Sequence, residues 1–199
     1  MADELNLDPG TTALVVIDLQ KGIAGRQTAP HSSQTVVANC ARLADRFRAL
    51  GSTVVLVHVV RSADGGDRLK MPVDSPPQWA TLNPPPDFSE FVPELGPRDN
   101  DVVIGKHQWG AFYGTDLDLQ LRRRGINTIV IGGIATNMGV ESTARDAYEH
   151  GYALVFVEDG MATFAAEMHA FAIQTIFPRI GRVRSTEQVV RAMDVSGRV

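Results

Sequence analysis

Several residue types and patterns are scarce in this chain, and each absence excludes a class of function. The 199 residues contain one cysteine, Cys40, which excludes an internal disulfide and any cysteine-rich metal site. No apolar run reaches the roughly 20 residues that cross a bilayer, so we expect no membrane partner. The net charge of −4 lacks the basic excess that attracts nucleic acids and anionic membranes.

Cofactor, metal and targeting motifs are missing as well. The chain has no GxGxxG or Walker A motif and no aromatic stacking array, so we expect no cofactor and no nucleic acid partner. His58 lies inside an apolar run, and His31, His150 and His169 have no ligand spacing, so we expect no metal. The acidic N-terminus, MADELNLDPG, lacks the basic and apolar regions of a signal peptide, which favours a cytoplasmic protein.

Short apolar runs define the predicted strands. They are rich in branched residues and do not alternate with polar ones, which is typical of strands buried on both faces of a parallel sheet. With 44% apolar and 21% charged residues, the chain has the composition of one globular domain, which we place over residues 1–199. The runs are Thr12–Ile17, Thr53–Val60, Asp101–Ile104, Thr128–Ile131 and Ala153–Val157, with Gly181–Arg184 as a shorter sixth.

Helical patterns lie between these runs. Gly51, Gly125 and Gly151 each stand where a helix gives way to a strand, as left-handed C-cap residues do. Because strands and helices alternate, we predict an α/β fold built on a doubly wound parallel sheet. The predicted helices span Ser32–Leu50, Gly139–His150 and Ala165–Phe177, and two more begin at the capping-box pairs Thr115/Asp118 and Ser185/Gln188.

Residues 61–100 interrupt this alternation. The segment holds eight prolines, too many for regular structure, and its aromatic residues Trp79, Phe88 and Phe91 are unusual for a solvated linker. Long loops of this kind often form a lid, a pocket wall or an oligomer contact. The alternative is an inert surface excursion.

Two ionisable residues of opposite sign follow predicted strands. Asp18 ends the first strand, and Lys106 comes directly after the strand DVVIG. Open α/β folds bind ligands at the carboxyl edge of the sheet, so we expect the two side chains to meet in a crevice there. The alternatives are a turn aspartate and a surface lysine.

The segment from Asn127 to Tyr148 reads as a buried strand, a tight glycine turn and a helix. The amides of Met138, Gly139 and Val140 are candidates for an oxyanion-type pocket. A plain strand-to-helix connection is the alternative. A nucleophile is expected in the first turn of such a helix, but the residue there is Gly139.

At these places together the chain resembles the isochorismatase-like hydrolase superfamily, which includes the nicotinamidase-type cysteine hydrolases. The resemblance rests on TALVVIDLQKG, on VVIGKHQWGAFYGTDLDLQLRRRGINTIVIGGIATNMGVESTARDAYEHGY and on the tail from VFVEDGMA through IFPRIGRVRS. It implies a three-layer αβα, Rossmann-like fold with a six-stranded parallel sheet of order 3-2-1-4-5-6. It also implies a cis peptide between Ile134 and Ala135, and a homo-oligomer.

The usual triad of this superfamily is aspartate, lysine and cysteine. Asp18 matches the aspartate and Lys106 the lysine, but the cysteine position falls on Gly139. Cys40 lies on the first predicted helix among apolar residues and reads as a small buried hydrophobe. The acyl-enzyme route through a thiolate is therefore closed to this chain.

Isochorismatases proper resemble this chain in having glycine at that position. There the aspartate acts as a general acid that protonates the enolpyruvyl methylene carbon, and water attacks the resulting oxocarbenium ion. Two features of that class differ here, because Gln108 and Trp109 replace an Arg-Tyr pair and Ala135 replaces a tyrosine. The turn is closer to the cysteine-hydrolase branch with the nucleophile changed. The metal-binding segment of nicotinamidases, after the second strand, corresponds to His58–Arg61 and does not match.

We therefore predict a cofactor-free hydrolase of a small organic molecule, with Asp18 as acid/base and Lys106 as its electrostatic partner. Burial raises the pKa of such an aspartate and a nearby ammonium lowers it, so its protonation state stays open at this point. The alternative is a catalytically silent family member that binds a small molecule. The expected substrate-binding residues are Gln20, Trp109, Phe112, Tyr113, Ile134, Ala135, Thr136, Asn137 and Met138.

Overall fold

A computed structural model describes residues 5–75 and 84–196 of the chain. Six parallel strands form one sheet in the order β3-β2-β1-β4-β5-β6, as predicted. The strands are β1 (Thr12–Ile17), β2 (Thr53–Val59), β3 (Val102–Lys106), β4 (Thr128–Ile134), β5 (Ala153–Ala162) and β6 (Arg182–Arg184).

Helices cover both faces of the sheet and complete a three-layer αβα fold. Alternate residues of β1 point to opposite faces. Leu14 and Val16 pack in one core with α2 and α7, while Val15 and Ile17 pack in the other with α3, α4 and α6. The helices are α1 (Lys21–Ala24), α2 (Ser33–Ala49), α3 (Leu117–Arg123), α4 (Glu141–Glu149), α5 (Ala166–Phe171), α6 (Phe177–Ile180) and α7 (Thr186–Ser196). None of the helices within the described ranges is long and apolar enough to span a bilayer.

The expectation of strands buried on both faces is wrong for β3. Its burial alternates, and Val103 has 45% of its surface exposed. β3 is one of the two edge strands and, among the described strands, pairs only with β2, so one of its faces has less cover. The run VVI could not reveal this, because its residues are all apolar.

Two of the predicted helices are broken into segments. A π-helical turn, Thr136–Val140, precedes α4, and a second one, Ala172–Ile176, separates α5 from α6. Single π turns of this kind are frequent at functional sites. The first of them forms the turn that was singled out in the sequence.

The glycine C-caps and the capping boxes that the sequence predicted for the helices are present, with one exception. Gly51, Gly125 and Gly151 have φ values of +70°, +70° and +84°, the left-handed conformation that glycine adopts freely. In the capping box before α7, the Ser185 amide donates to Gln188 Oε1, and the Gln188 amide donates to Ser185 Oγ.

The exception is the pair Thr115/Asp118, which does not form a capping box. The Thr115 amide donates to the Phe112 carbonyl instead of to Asp118. The Asp118 carboxylate accepts hydrogen bonds from Tyr152 and Arg122. A tertiary partner therefore outcompetes the local cap.

The proline-rich segment, in its described part, docks against the residues that follow β1. The Lys21 amide donates to Glu90 O at 2.8 Å, and the Val92 amide donates to Leu19 O at 3.1 Å. Phe88 covers Gly22, where a Cβ atom would lie 2.0 Å from its ring. Residues 88–92 thus form a wall beside the carboxyl end of β1, whereas residues 69–75 are exposed.

Candidate active site

Asp18 is held at the carboxyl end of β1 in a conformation that non-glycine residues rarely adopt. Its φ is +57°, and its amide donates to Val57 O of β2 at 2.9 Å. A left-handed aspartate directly after a strand costs of order 1 kcal/mol and persists where the surroundings fix it. The bend turns the side chain toward the end of β3.

Lys106, the last residue of β3, meets Asp18 there. Its Nζ lies 2.9 Å from Asp18 Oδ2 and also donates to the Trp109 carbonyl. The Lys106 side chain is fully buried, and Asp18 is 5% exposed. Asp18 Oδ1 is buried and has no hydrogen-bond partner among the described residues, so the carboxyl group keeps one oxygen unused by the fold.

Burial dominates the electrostatics of this carboxyl group. Removal from water raises the pKa of Asp18 from 3.8 to about 6, and the charge and hydrogen bond of Lys106 oppose part of that rise. The group therefore exchanges a proton within the range of pH at which most enzymes work. Burial therefore outweighs Lys106 in setting the direction of the shift.

Gly139 lies against the same pair. A Cβ atom at this position would be 3.0 Å from Asp18 Oδ2 and 3.1 Å from Lys106 Nζ. At the expected cysteine position the chain therefore has only backbone atoms beside the buried Asp18 and Lys106. Thr143 on α4 accepts a hydrogen bond from the Ala111 amide and donates to the Gly139 carbonyl, which joins Gly139 to the loop after β3.

The turn that carries Gly139 begins with an unusual backbone. The peptide bond between Ile134 and Ala135 is cis, and Gly133 has a φ of +127°. A Cβ atom on Gly133 would lie 2.1 Å from Ile17 O, so only glycine lets β4 come this close to β1. The turn thus starts beside Asp18.

The predicted oxyanion pocket is not available from two of its three amides. The Met138 and Val140 amides both donate to the Ala135 carbonyl, at 3.1 Å and 3.2 Å. The π-helical turn satisfies its own backbone, so these groups do not point freely into a crevice. This corrects the expectation for Met138 and Val140.

Other predicted residues of the turn face a second set of side chains. Thr136 Oγ1 lies 2.9 Å from Nδ1 of His169 on α5, and both residues are buried. Burial lowers the pKa of His169 despite the opposing influence of Glu158, which favours the neutral imidazole. Asn137 Oδ1 accepts a hydrogen bond from Thr163 Oγ1.

Gln20 is a structural residue in this fold. Its amide nitrogen donates to Val59 O and Phe88 O, and its oxygen accepts from the Val59 amide. The residue is fully buried, so its polar atoms are used to join β1, β2 and the proline-rich segment. The interpretation of Gln20 as substrate-binding is replaced by this role.

The aromatic residues noted in the sequence are only partly available to a substrate. Phe112 belongs to the core, stacks on His150 and lies tilted against Tyr152, and Phe88 packs on Gly22. Trp109 and Tyr113 are 56% and 79% exposed in the loop after β3, where they are available to a ligand. Trp79 lies outside the described residues.

The residues at the nicotinamidase metal position do not fit a metal. His58 Nδ1 lies 2.7 Å from the Ser89 carbonyl, and its ring stacks on Phe91. Cys40 packs in the core, where burial raises the pKa of its thiol to about 12 and keeps it from acting as a nucleophile. Both residues therefore have structural roles, as expected.

The structure brings together three possible metal ligands that the sequence did not predict. His31, Glu158 and His169 present one ligand atom each, and these atoms lie within 4.8 Å of one another. The residues come from a loop, a strand and a helix that are far apart in sequence, so no spacing motif joins them. The tertiary fold alone brings the loop before α2, β5 and α5 together.

The chain is similar to proteins of one family over most of its length. The family model of the isochorismatase domain matches residues 12–188. The uncharacterized isochorismatase family protein YecD of Escherichia coli O157:H7 is 52% identical over 189 residues, which cover 95% of this chain and 100% of the relative.

A solved structure and a more distant relative extend the similarity. The structure of an isochorismatase family protein from Burkholderia thailandensis matches with a TM-score of 0.91 and 48% identity, over 96% of this chain and 100% of that one. The ureidoacrylate amidohydrolase RutB of Pseudomonas syringae pv. syringae is 30% identical, over 91% of this chain and 84% of the relative.

Proposed function

The chain belongs to the isochorismatase family, and on that premise we propose that it is a hydrolase of a small organic substrate in which Asp18 is the acid/base and Lys106 its electrostatic partner. One observation carries the proposal. A carboxyl group with a pKa of about 6 lies 2.9 Å from a buried ammonium, at the carboxyl edge of the sheet. Groups titrating near the working pH transfer protons most effectively.

The absence of a nucleophile favours chemistry in which water attacks directly. Gly139 offers no side chain at the position where a Cβ atom would meet both Asp18 and Lys106. In isochorismatase-type hydrolysis of an enol ether, Asp18 donates its proton to the methylene carbon, and water adds to the oxocarbenium carbon. Loss of the alcohol then gives the ketone, and the proton released by water returns to Asp18.

Lys106 stabilises the carboxylate that remains after the proton has left. Its ammonium donates to Asp18 Oδ2 and to the Trp109 carbonyl, so its position is fixed before the reaction. Preorganised charge in a site without water is worth more than the same charge in solution. The unused Asp18 Oδ1 is the oxygen that we assign to the substrate proton.

The test is a pH–rate profile for parent and Asp18→Asn, measured against a panel of enol ethers and amides. We expect turnover of an enol ether that falls as pH rises through about 6, and a loss of about 100-fold or more in Asp18→Asn. Asp116→Asn, at an exposed position, serves as the control. Turnover of an identified substrate that is unchanged in Asp18→Asn would refute the assignment.

A second candidate is a catalytically silent protein that binds a small molecule. It is favoured by the turn, which resembles that of the cysteine hydrolases, and by the similarity to the amidohydrolase RutB. Gly139→Cys restores a thiol on a Cβ atom that would lie 3.0 Å from Asp18 Oδ2, which requires a small shift of the neighbouring atoms, and Gly139→Ala adds the same Cβ atom without the thiol. Amidase activity in the cysteine variant alone, with none in the parent, would support this candidate.

The expected homo-oligomer and cytoplasmic location remain proposals. The molar mass of the full chain, measured by light scattering at several concentrations, tests the first. A mass equal to that of the 21.6 kDa chain at every concentration would contradict it.

A further inference from the structure

We propose that His31, Glu158 and His169 form a binding site for one divalent transition-metal cation of the Zn²⁺ type. The three residues lie together although they belong to different elements: His31 to the loop before α2, Glu158 to β5 and His169 to α5. Two histidines and one carboxylate are a common ligand set for zinc that keeps an open coordination position. This site is independent of the nicotinamidase metal position after β2.

The geometry is close to that of a loaded site. His31 Nε2 lies 2.8 Å from Glu158 Oε1, and His169 Nε2 lies 3.4 Å from the same oxygen. Ligands of a tetrahedral ion with bonds of about 2.1 Å are about 3.4 Å apart, so the separation between His169 and Glu158 fits and that between His31 and Glu158 must widen. The His31 side chain is 26% exposed.

His169 is oriented as a ligand that has no other partner. Its Nδ1 contacts Thr136 Oγ1, while the buried Nε2 has no hydrogen bond among the described residues and faces Glu158. Metal-bound histidines are held in this way, with the second nitrogen fixed by a hydrogen bond. When Nδ1 donates to Thr136, the lone pair of Nε2 points into the group.

His31 is kept in place by the backbone before it. Ala29 and Thr163 exchange two hydrogen bonds, of 2.7 Å and 2.9 Å, and Thr28 Oγ1 donates to the His31 carbonyl. The loop is thus joined to Thr163, which directly follows β5, the strand that carries Glu158. A cation bound at Nε2 of His31 would replace the hydrogen bond to Glu158, and the neutral imidazole would carry its hydrogen on Nδ1.

The site is accessible from solvent and connected to the catalytic turn. The Glu158 side chain is 37% exposed, which leaves an entry path and room for a bound water. Thr136, which holds His169, belongs to the same π-helical turn as Gly139. Metal binding would therefore stabilise this turn, without supplying a group to the Asp18 chemistry.

The experiment uses the full chain, stripped of metal with a chelator and titrated with Zn²⁺ by calorimetry and with Co²⁺ by visible absorption. We expect one ion per chain. His31→Gln and Glu158→Gln should each weaken binding about 100-fold or more, and Thr136→Val about 10-fold to 100-fold. His150→Gln, at an exposed histidine outside the group, is the matched control and should bind as the parent does.

His31→Gln decides the outcome even where a variant of buried His169 fails to fold, because His31 is partly exposed. The proposal is overturned if the parent binds no stoichiometric Zn²⁺ at micromolar concentrations. It is also overturned if folded His31→Gln binds Zn²⁺ as tightly as the parent. Neither result bears on the proposed hydrolase, which is assayed through Asp18.

Discussion

The Asp18–Lys106 pair and the group of His31, Glu158 and His169 both contact the turn between β4 and α4, but water reaches them differently. The side chains of the pair are 7% and 0% exposed, whereas those of His31 and Glu158 are 26% and 37% exposed. Burial of the pair raises the pKa of Asp18, so the stability of the fold depends on the protonation of this group. In the second group His169 is buried as well, but His31 and Glu158 can be reached from solvent.

The two sites also differ in how much stability a substitution should remove. A charge removed from water must be compensated by a partner of good geometry, and loss of either partner leaves the other uncompensated. A half-exposed ion pair contributes little, because solvent screens it. Substitutions should therefore be severe in the first site and mild in the second.

The largest loss of stability is expected for a substitution in the turn that both sites contact. Gly133→Ala would place a Cβ atom 2.1 Å from Ile17 O at a φ of +127°, so the turn could not form as it is. We expect a loss of about 4 kcal/mol or more in the free energy of unfolding, or no folded protein. Urea denaturation measures it.

Gly125→Ala is the matched control for that prediction. Its φ of +70° is also positive, but no atom lies within 4 Å of its Cβ position. It should lose only about 1 kcal/mol, the cost of a left-handed alanine. Equal losses in the two variants would show that close approach at Gly133 does not matter.

Lys106→Met tests whether the buried pair is more sensitive to substitution than the partly exposed group. It leaves the Asp18 carboxylate buried without its cation, and we expect a loss of about 3–5 kcal/mol at pH 8. The double variant with Asp18→Asn should be less destabilised than Lys106→Met alone, because no charge then remains buried. A double variant as unstable as the sum of the singles would contradict the pairing.

The pH dependence of stability tests the same site with its charge intact. The pKa of Asp18 is raised in the folded state from 3.8 to about 6, so the native state binds the proton more tightly. Its contribution to stability is complete below pH 4 and is lost as pH rises through 6. The difference in unfolding free energy between parent and Asp18→Asn should change by up to about 3 kcal/mol across this window. A flat difference would refute the shift.

The smallest effect is expected at the half-exposed group. In metal-free protein, Glu158→Gln should change the free energy of unfolding by about 1 kcal/mol or less, since the contact with His31 is partly solvated. Adding Zn²⁺ should raise the melting temperature of the parent but not of this variant. A loss as large as that of Lys106→Met would erase the contrast.

The sequence predicted the sheet and the acidic and basic ends of β1 and β3 because these features follow from local patterns. Apolar runs set the strands, and residues directly after two strands of one parallel sheet share its carboxyl edge. It could not predict the roles of Gln20 or Phe112, since hydrogen bonding to the proline-rich segment and ring contact with Tyr152 depend on long-range packing. The group around Glu158 was missed for the same reason.

The measurement that tests the account most directly needs no substrate. The side-chain carboxyl carbon of Asp18 can be followed by ¹³C NMR as a function of pH in the parent chain and assigned by its disappearance in Asp18→Asn. We predict a titration midpoint near 6, well above the ordinary value of 3.8. A midpoint at or below that ordinary value would mean that Lys106 outweighs burial, and Asp18 could not serve as the proton donor.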